Sequence, residues 1–256
     1  MSVINTNVNS LNAASALAIN ERNLSTAMER LSSGKRINGA KDDAAGQAIA
    51  SRMTAQIRGL DQAVRNANDG ISMLQTADGA MEEVSNMLQR MRELAVQYSN
   101  STNATADLAA LSVESAALSA EVTRINADTT WNSKELFAVG TASFQVGANS
   151  GDVVTVTVTD FALTGTILTL GNLDTDIDNI NTYRSALGAG INRLTHAANN
   201  SLSISTNTSA SRSRIVDTDY AKTSAELART QIVQQAATAM LAQANQGAQS
   251  VLALLK

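Results

Sequence analysis

The chain has 256 residues, enough for one or two domains, and is 44% hydrophobic but only 3% aromatic, with no proline and no cysteine. Without cysteine there is no disulfide framework, thiolate metal site or cysteine nucleophile, and a formal charge of −4 argues against a dedicated nucleic-acid surface. Average usage would supply roughly 13 prolines, each costing a helix interior about 3 kcal/mol, so composition leans towards long helices packed through Ala, Leu, Ile, Val and Met.

The first apolar series is Ile4, Val8, Leu11, Leu24, Met28 and Leu31, which puts one face on an N-terminal helix that Ser32-Ser33-Gly34 ends. Met1 to Asn20 lacks a cationic start followed by an apolar block, so no ordinary secretory signal is expected. Asp42-Asp43 follows Lys41 and precedes an Ala-rich stretch, and is read as helix capping and macrodipole charge rather than as an acid/base pair.

Ile49, Met53 and Ile57 then lead into Leu60, Val64, Ala67, Ile71, Leu74, Met81, Leu88, Met91, Ala95 and Tyr98, a stripe close to a heptad seam that Asp78 and Ser85 interrupt and that Val84 and Leu94 widen. A helix from Asp43 to Ser99 would run roughly 80 Å and needs partners along its length. A polar turn at Asn100-Ser101-Thr102-Asn103 leads to a second stripe, Leu108, Leu111, Leu118, Val122 and Ile125, with Ser115 at one seam position. No stretch of about 18 apolar residues occurs, so no membrane span is expected.

The period then changes. Val153 to Thr159 alternates Val with Thr after the turn-forming Asn149-Ser150-Gly151-Asp152, which predicts a β-hairpin at 143–159; a second short strand is expected over Thr166 to Leu170. The third helical stripe is Leu173, Ile177, Ile180, Leu187, Ile191, Leu194 and Ala198, with Asn172 or Asp174 as its starting cap. Tyr220, Leu227, Ile232, Ala236, Met240, Leu241, Val251, Leu252 and Leu255 serve a C-terminal helix. Neither terminal helix can easily stay helical and soluble alone, so the two are expected to pair with each other and with other copies, and to be disordered in the monomer until assembly.

Nothing points to catalysis. The one histidine, His196, falls beside the third seam and reads as a packing or surface residue rather than a ligand. No HExxH, phosphate loop, CxxC or GxSxG occurs, so no catalytic, cofactor or metal residue is assigned. The Asn-X-Ser/Thr triplets at Asn100 and Asn103 read as chance in so Asn/Thr-rich a chain.

Several blocks together resemble bacterial flagellins. They are Ser2-Val3-Ile4-Asn5-Thr6-Asn7, Leu31 to Asn38 followed by Ala40 to Gly46, Leu88 to Gln97, Ser213-Arg214-Ile215 with Asp219-Tyr220-Ala221, Leu241 to Gln246, and the ending Val251 to Lys256. Their joint order and spacing cover roughly 1–150 and 180–256. The resemblance implies a mainly α fold: a long helical coiled-coil rod with a small β-hairpin region, and N- and C-terminal helices paired in an inner domain. That domain would take 1–43 with 212–256, including a spoke; the outer domain would take 44–211, with the family's variable domains absent and only the connection 160–171 in their place.

The implied function is a structural filament subunit for swimming motility, extracellular and exported by the flagellar type III system. Its main partner would be itself, with the flagellar cap, hook-junction proteins and an export chaperone besides. The inner-domain assembly residues would be Ile4, Val8, Leu11, Leu24, Met28, Leu31, Leu227, Ile232, Leu241, Val251, Leu252 and Leu255. Gln89, Arg90, Leu94 and Glu114 would form a surface buried between protofilaments and, in the monomer, recognised by vertebrate Toll-like receptor 5. The plainer reading of Arg90, Arg92 and Glu93 is a solvated face whose ion pairs contribute little. Two rivals remain, a hook–filament junction protein with similar termini and, from another class, an intracellular coiled-coil binding module or export chaperone.

Overall fold

The structure, a computed structural model, describes residues 6–164 and 168–253. It divides into two compact units, one of the described residues up to Thr54 together with those from Thr208 onward, the other Ala55–Asn207.

In the first unit, helix α1 (Val8–Ser33) starts at Asn7, whose Oδ1 accepts the Ser10 amide at 3.1 Å. It ends at Gly34, where φ is 70°, a left-handed conformation that glycine adopts without Cβ strain. The Gly34 amide donates to the Arg30 carbonyl at 2.9 Å, so the stop read from Ser32-Ser33-Gly34 is a C-cap. Helix α5 (Tyr220–Ala253) is capped by Asp219, whose Oδ1 accepts the Lys222 amide at 3.1 Å.

The two helices run antiparallel. Asn7 Nδ2 donates to the Ala244 carbonyl at 2.9 Å, the Ser10 hydroxyl to Asn245 Oδ1 at 3.0 Å, and buried Asn20 Nδ2 to the Thr230 carbonyl at 2.8 Å. At the far end the Thr218 amide donates to the Gly34 carbonyl at 3.0 Å and closes the pair.

The Asp42-Asp43 pair divides its work. Asp43 Oδ1 accepts the Gly46 amide at 2.8 Å and caps helix α2 (Ala44–Tyr98). Asp42 Oδ2 instead accepts the Asn38 and Gly39 amides, both at 3.0 Å, and ties the preceding turn. Those two amides, with smaller help from Lys41 and Arg30, hold the Asp42 carboxyl below the usual carboxylate range. Because the folded value is depressed, the stabilisation is present above the unfolded value and is lost as pH falls through the folded one.

The second unit has one core. Leu74, Met81, Val84, Leu88, Met91 and Ala95 of α2 meet Val122 of α3 (Thr105–Asp128) and Leu173, Ile180, Leu187 and Leu194 of α4 (Leu170–Val216). Asp78, a flaw in the α2 stripe, is explained by Arg184 on α4, whose Nε and Nη2 reach its two oxygens at 2.8 and 3.3 Å. Ser115 has no such explanation. It is fully buried, and its hydroxyl has no hydrogen-bond partner. Ser115→Ala removes an orphaned polar group and improves helix propensity, so urea unfolding should show a gain of about 1 kcal/mol. A loss of stability would mean the hydroxyl has a partner.

After α3 come two small antiparallel pairs. The first, β1 (Thr130–Trp131) with β2 (Lys134–Glu135), turns through Asn132 and Ser133 at φ 50° and 64°. The second joins β3 (Gly140–Gln145) to β4 (Val153–Val158), in register from Gly140 opposite Val158 to Gln145 opposite Val153. The hairpin expected at 143–159 is therefore present with its first strand starting three residues earlier. Val154, Val156 and Val158 are buried while Thr155 and Thr157 are exposed, the alternation that a half-covered strand requires. Gly70 on α2 and Gly190 on α4 let it dock: a Cβ on either would lie 2.8 Å from Phe144 and Val156 respectively.

Two expectations need correction. The short strand over Thr166 to Leu170 is not formed in its described part, since Leu168 lies in a turn and Leu170 begins α4; residues 166 and 167 lie outside the described residues. Asn172 and Asp174 are not the α4 cap, because the amides of Asn172 and Leu173 already donate to the Thr169 carbonyl at 3.1 and 3.2 Å. Asp174 pairs instead with Arg92 on α2 at 2.6 Å.

Candidate assembly surfaces

The α1–α5 pair buries only part of its apolar surface. Leu24, Leu31, Leu227 and Leu241 are half-buried. Val8, Leu11 and Met28 on α1 are 50%, 60% and 50% exposed, and Ile232 on α5 is 66% exposed. Ile4 and Leu255 lie outside the described residues, as do the side chains of Val251 and Leu252. Sequence spacing missed Ile19, exposed like Val8, while Met240, present in the α5 series but not among the expected assembly residues, is exposed like Ile232. The signal for Ile19 was available, since it sits about three helical turns after Val8 and so on the same face. Large apolar side chains scattered singly are normal, but a concentration on both members of one helix pair marks an interaction surface.

A different surface is built on α2 and α3. Arg90 Nε donates to Glu114 Oε1 at 3.0 Å and Nη1 to Glu93 Oε2 at 2.9 Å, so one guanidinium joins the two helices. The bonds to Glu93 and then Glu114 push the Arg90 guanidinium further up, keeping it charged. Gln89, Arg90 and Glu114 are exposed side by side with this network, but Leu94 is not: it is 1% exposed and faces the interior. Its place in the α2 stripe decides this, and it supports the surface from beneath instead of belonging to it. Val113 on α3 and Val96 on α2 add exposed apolar side chains.

His196 is exposed on α4, and among the described residues no group of three or more His, Asp or Glu side chains could hold a metal ion. Among them too, no helix is long and apolar enough to cross a membrane.

Comparison with known proteins places these surfaces in context. Residues 4–142 match the bacterial flagellin N-terminal helical region and residues 170–255 the bacterial flagellin C-terminal helical region. A flagellin of Halalkalibacterium halodurans is 47% identical over 271 residues, covering 99% of this chain and 100% of that protein. A flagellin of Bacillus subtilis is 37% identical over 302 residues, covering 99% of each. Flagellin A of Vibrio anguillarum is 33% identical across a longer alignment of 375 residues, again 99% of each. A crystal structure of Bacillus cereus flagellin aligns with a TM-score of 0.49 at 31% identity, over 54% of this chain and 88% of that one.

Proposed function

The chain belongs to the bacterial flagellin family, as a short form of the structural subunit of the flagellar filament, and from that premise we propose how this member assembles. The observation that carries the reading is the concentration of exposed Val8, Leu11, Ile19, Met28, Ile232 and Met240 on one antiparallel helix pair. Neighbouring copies cover those faces, and burial of apolar surface supplies the driving force. The contact joins different patches on successive copies and does not close, so it propagates a helix.

In this reading 1–43 with 212–256 form the inner, channel-facing domain and 44–211 the outer one. Export proceeds partly unfolded through the flagellar type III channel with a chaperone on the way, and the cap and hook-junction proteins meet the polymer at its ends. Extracellular localisation along the filament follows, and no catalytic step is assigned to any residue. In the monomer, Gln89, Arg90 and Glu114 present the surface for Toll-like receptor 5, with Leu94 holding α2 in place beneath it. Arg90→Ala in purified monomer should lower potency on receptor-bearing cells about tenfold or more; unchanged potency sinks the receptor assignment alone.

Assembly itself is tested by sedimentation and microscopy. The intact chain should pellet as long filaments, and a variant lacking 251–256 should stay in the supernatant. A small soluble oligomer with folded ends would favour the intracellular coiled-coil module instead. Label confined to the filament base would favour the junction protein.

A further inference from the structure

An asparagine followed by glycine loses ammonia spontaneously more readily than other asparagines, because the glycine amide has no Cβ beside it to keep it from the asparagine side chain. The chain has one such pair, Asn38-Gly39, in the segment between α1 and α2. The backbone does not require that glycine. Gly39 has no positive φ, and a Cβ added to it would meet no atom within 4 Å.

The reaction is intramolecular. The Gly39 amide nitrogen gives its proton to hydroxide and attacks Asn38 Cγ; the new N–C bond forms, the Cγ–Nδ2 bond breaks and ammonia leaves. Water then opens the resulting succinimide at either carbonyl, leaving aspartate or isoaspartate. Both the nucleophile and the side chain it attacks must be free to move.

In the folded chain neither is free. The Gly39 amide donates to Asp42 Oδ2 at 3.0 Å, beside the Asn38 amide at the same distance. Asn38 Nδ2 donates to the Lys35 carbonyl at 3.2 Å. Asp42 is itself fixed, since its own amide donates back to the Gly39 carbonyl at 3.1 Å. The segment is seated by Ile37, which is 3% exposed, and by the Arg36 amide, which donates to the Val216 carbonyl at 2.6 Å.

A carboxylate acceptor keeps the proton on the amide it binds through a charge-assisted bond. The alternative role for Asp42, as a base that removes this proton, is opposed by the two amides, which hold its carboxyl below the usual range and weaken it as a base.

We propose that Asn38 is a deamidation site that Asp42 keeps silent in the folded chain and that opens when this segment unfolds. Either product places a second carboxylate next to Asp42, and like charges there oppose the turn between α1 and α2. A chain that waits unfolded is therefore disfavoured in assembly, whereas an assembled one is spared. This goes beyond the assembly reading, since it needs the segment folded in filaments and not any particular contact between copies.

Wild-type filaments are aged at mildly alkaline pH beside the same chain in guanidinium chloride, and peptide mapping reads aspartate and isoaspartate at Asn38. Filaments are used because the terminal helices are folded there whatever their state in the free chain. Their rate should be lower by about tenfold or more, the effect of a hydrogen bond to a charged group. Asp42→Ala, incorporated as a minor component into wild-type filaments that keep its fold, should react about tenfold or more faster than the wild-type chains around it. Asp42→Asn, which keeps the shape without the charge, takes its place if Asp42→Ala is not incorporated.

Gly39→Ala should resist ageing in denaturant and afterwards pellet more fully than equally aged wild type, which separates Asn38 from other damage. Pelleting of unaged wild type checks polymerisation by itself. Equal wild-type rates in filaments and denaturant, or Asp42 variants no faster than wild type within filaments, overturn the guarded site. Equal pelleting of aged wild type and aged Gly39→Ala overturns its effect on assembly.

Discussion

Ile232→Asp is expected to leave the fold of the single chain unchanged and to raise the critical concentration for polymerisation steeply. Ile232 is 66% exposed on α5, and a surface substitution of this kind changes monomer stability by about 0.5 kcal/mol or less. On the proposed assembly the same position is covered by another copy in the filament. The substitution then forfeits the isoleucine's burial, about 1.5–3 kcal/mol, and also sets a carboxylate against apolar surface without a partner, which costs several kcal/mol more. The critical concentration should rise about 100-fold or more, since each 1.4 kcal/mol is tenfold. Sedimentation gives the concentration and circular dichroism the fold. A well-folded variant that still pellets at wild-type concentration would remove α5 from the interface.

The second large effect lies inside the outer unit. Gly190→Leu should destabilise it by about 3 kcal/mol, because overpacking a fitted core forces neighbours off their rotamers. Its Cβ would stand 2.8 and 2.9 Å from the two Val156 methyls and 3.3 Å from Leu74, leaving the β3–β4 hairpin no room to stay seated. Gly190→Ala is the informative companion, since its gain of about 1 kcal/mol in helix propensity opposes the overlap. Combining it with Val156→Ala should recover stability beyond the sum of the two single changes, as directly touching residues couple. Urea unfolding reads all four proteins. A loss below about 0.5 kcal/mol for Gly190→Leu would show that the hairpin yields easily.

Much of this was legible because helical spacing repeats. The stripes from Leu74 to Ala95 and from Leu173 to Leu194 are core positions, and Gly34 stops α1 where its sequence says. The hidden parts share a cause, which is that polar atoms do structural work there. Helix α4 continues beyond Ala198 because its buried face turns polar: the Ser201 hydroxyl donates to the Val146 carbonyl at 2.8 Å and that of Ser205 to Asp61 at 2.9 Å. An apolar period cannot register such a seam. The β1–β2 turn escaped for a similar reason, since Asn132-Ser133 lacks the glycine that usually signals a left-handed turn.

The assembly surfaces were half legible. Periodicity finds the apolar positions of α1 and α5 but cannot say which of them the partner helix covers. Only packing separates half-buried Leu24 and Leu227 from outward Leu11 and Ile232. Leu94 shows the opposite error, since a motif assigned it to a surface while its own stripe already placed it in the core.

On the proposed assembly, the outward faces of the α1–α5 pair become buried between copies. The chain has no cysteine, so a single Met240→Cys gives a clean probe at a position 65% exposed in the single chain. Thiol labelling should be fast in the monomer and slower in filaments by about 100-fold or more, as expected where a fully desolvated contact excludes the reagent. Labelling at the monomer rate in intact filaments would contradict the account.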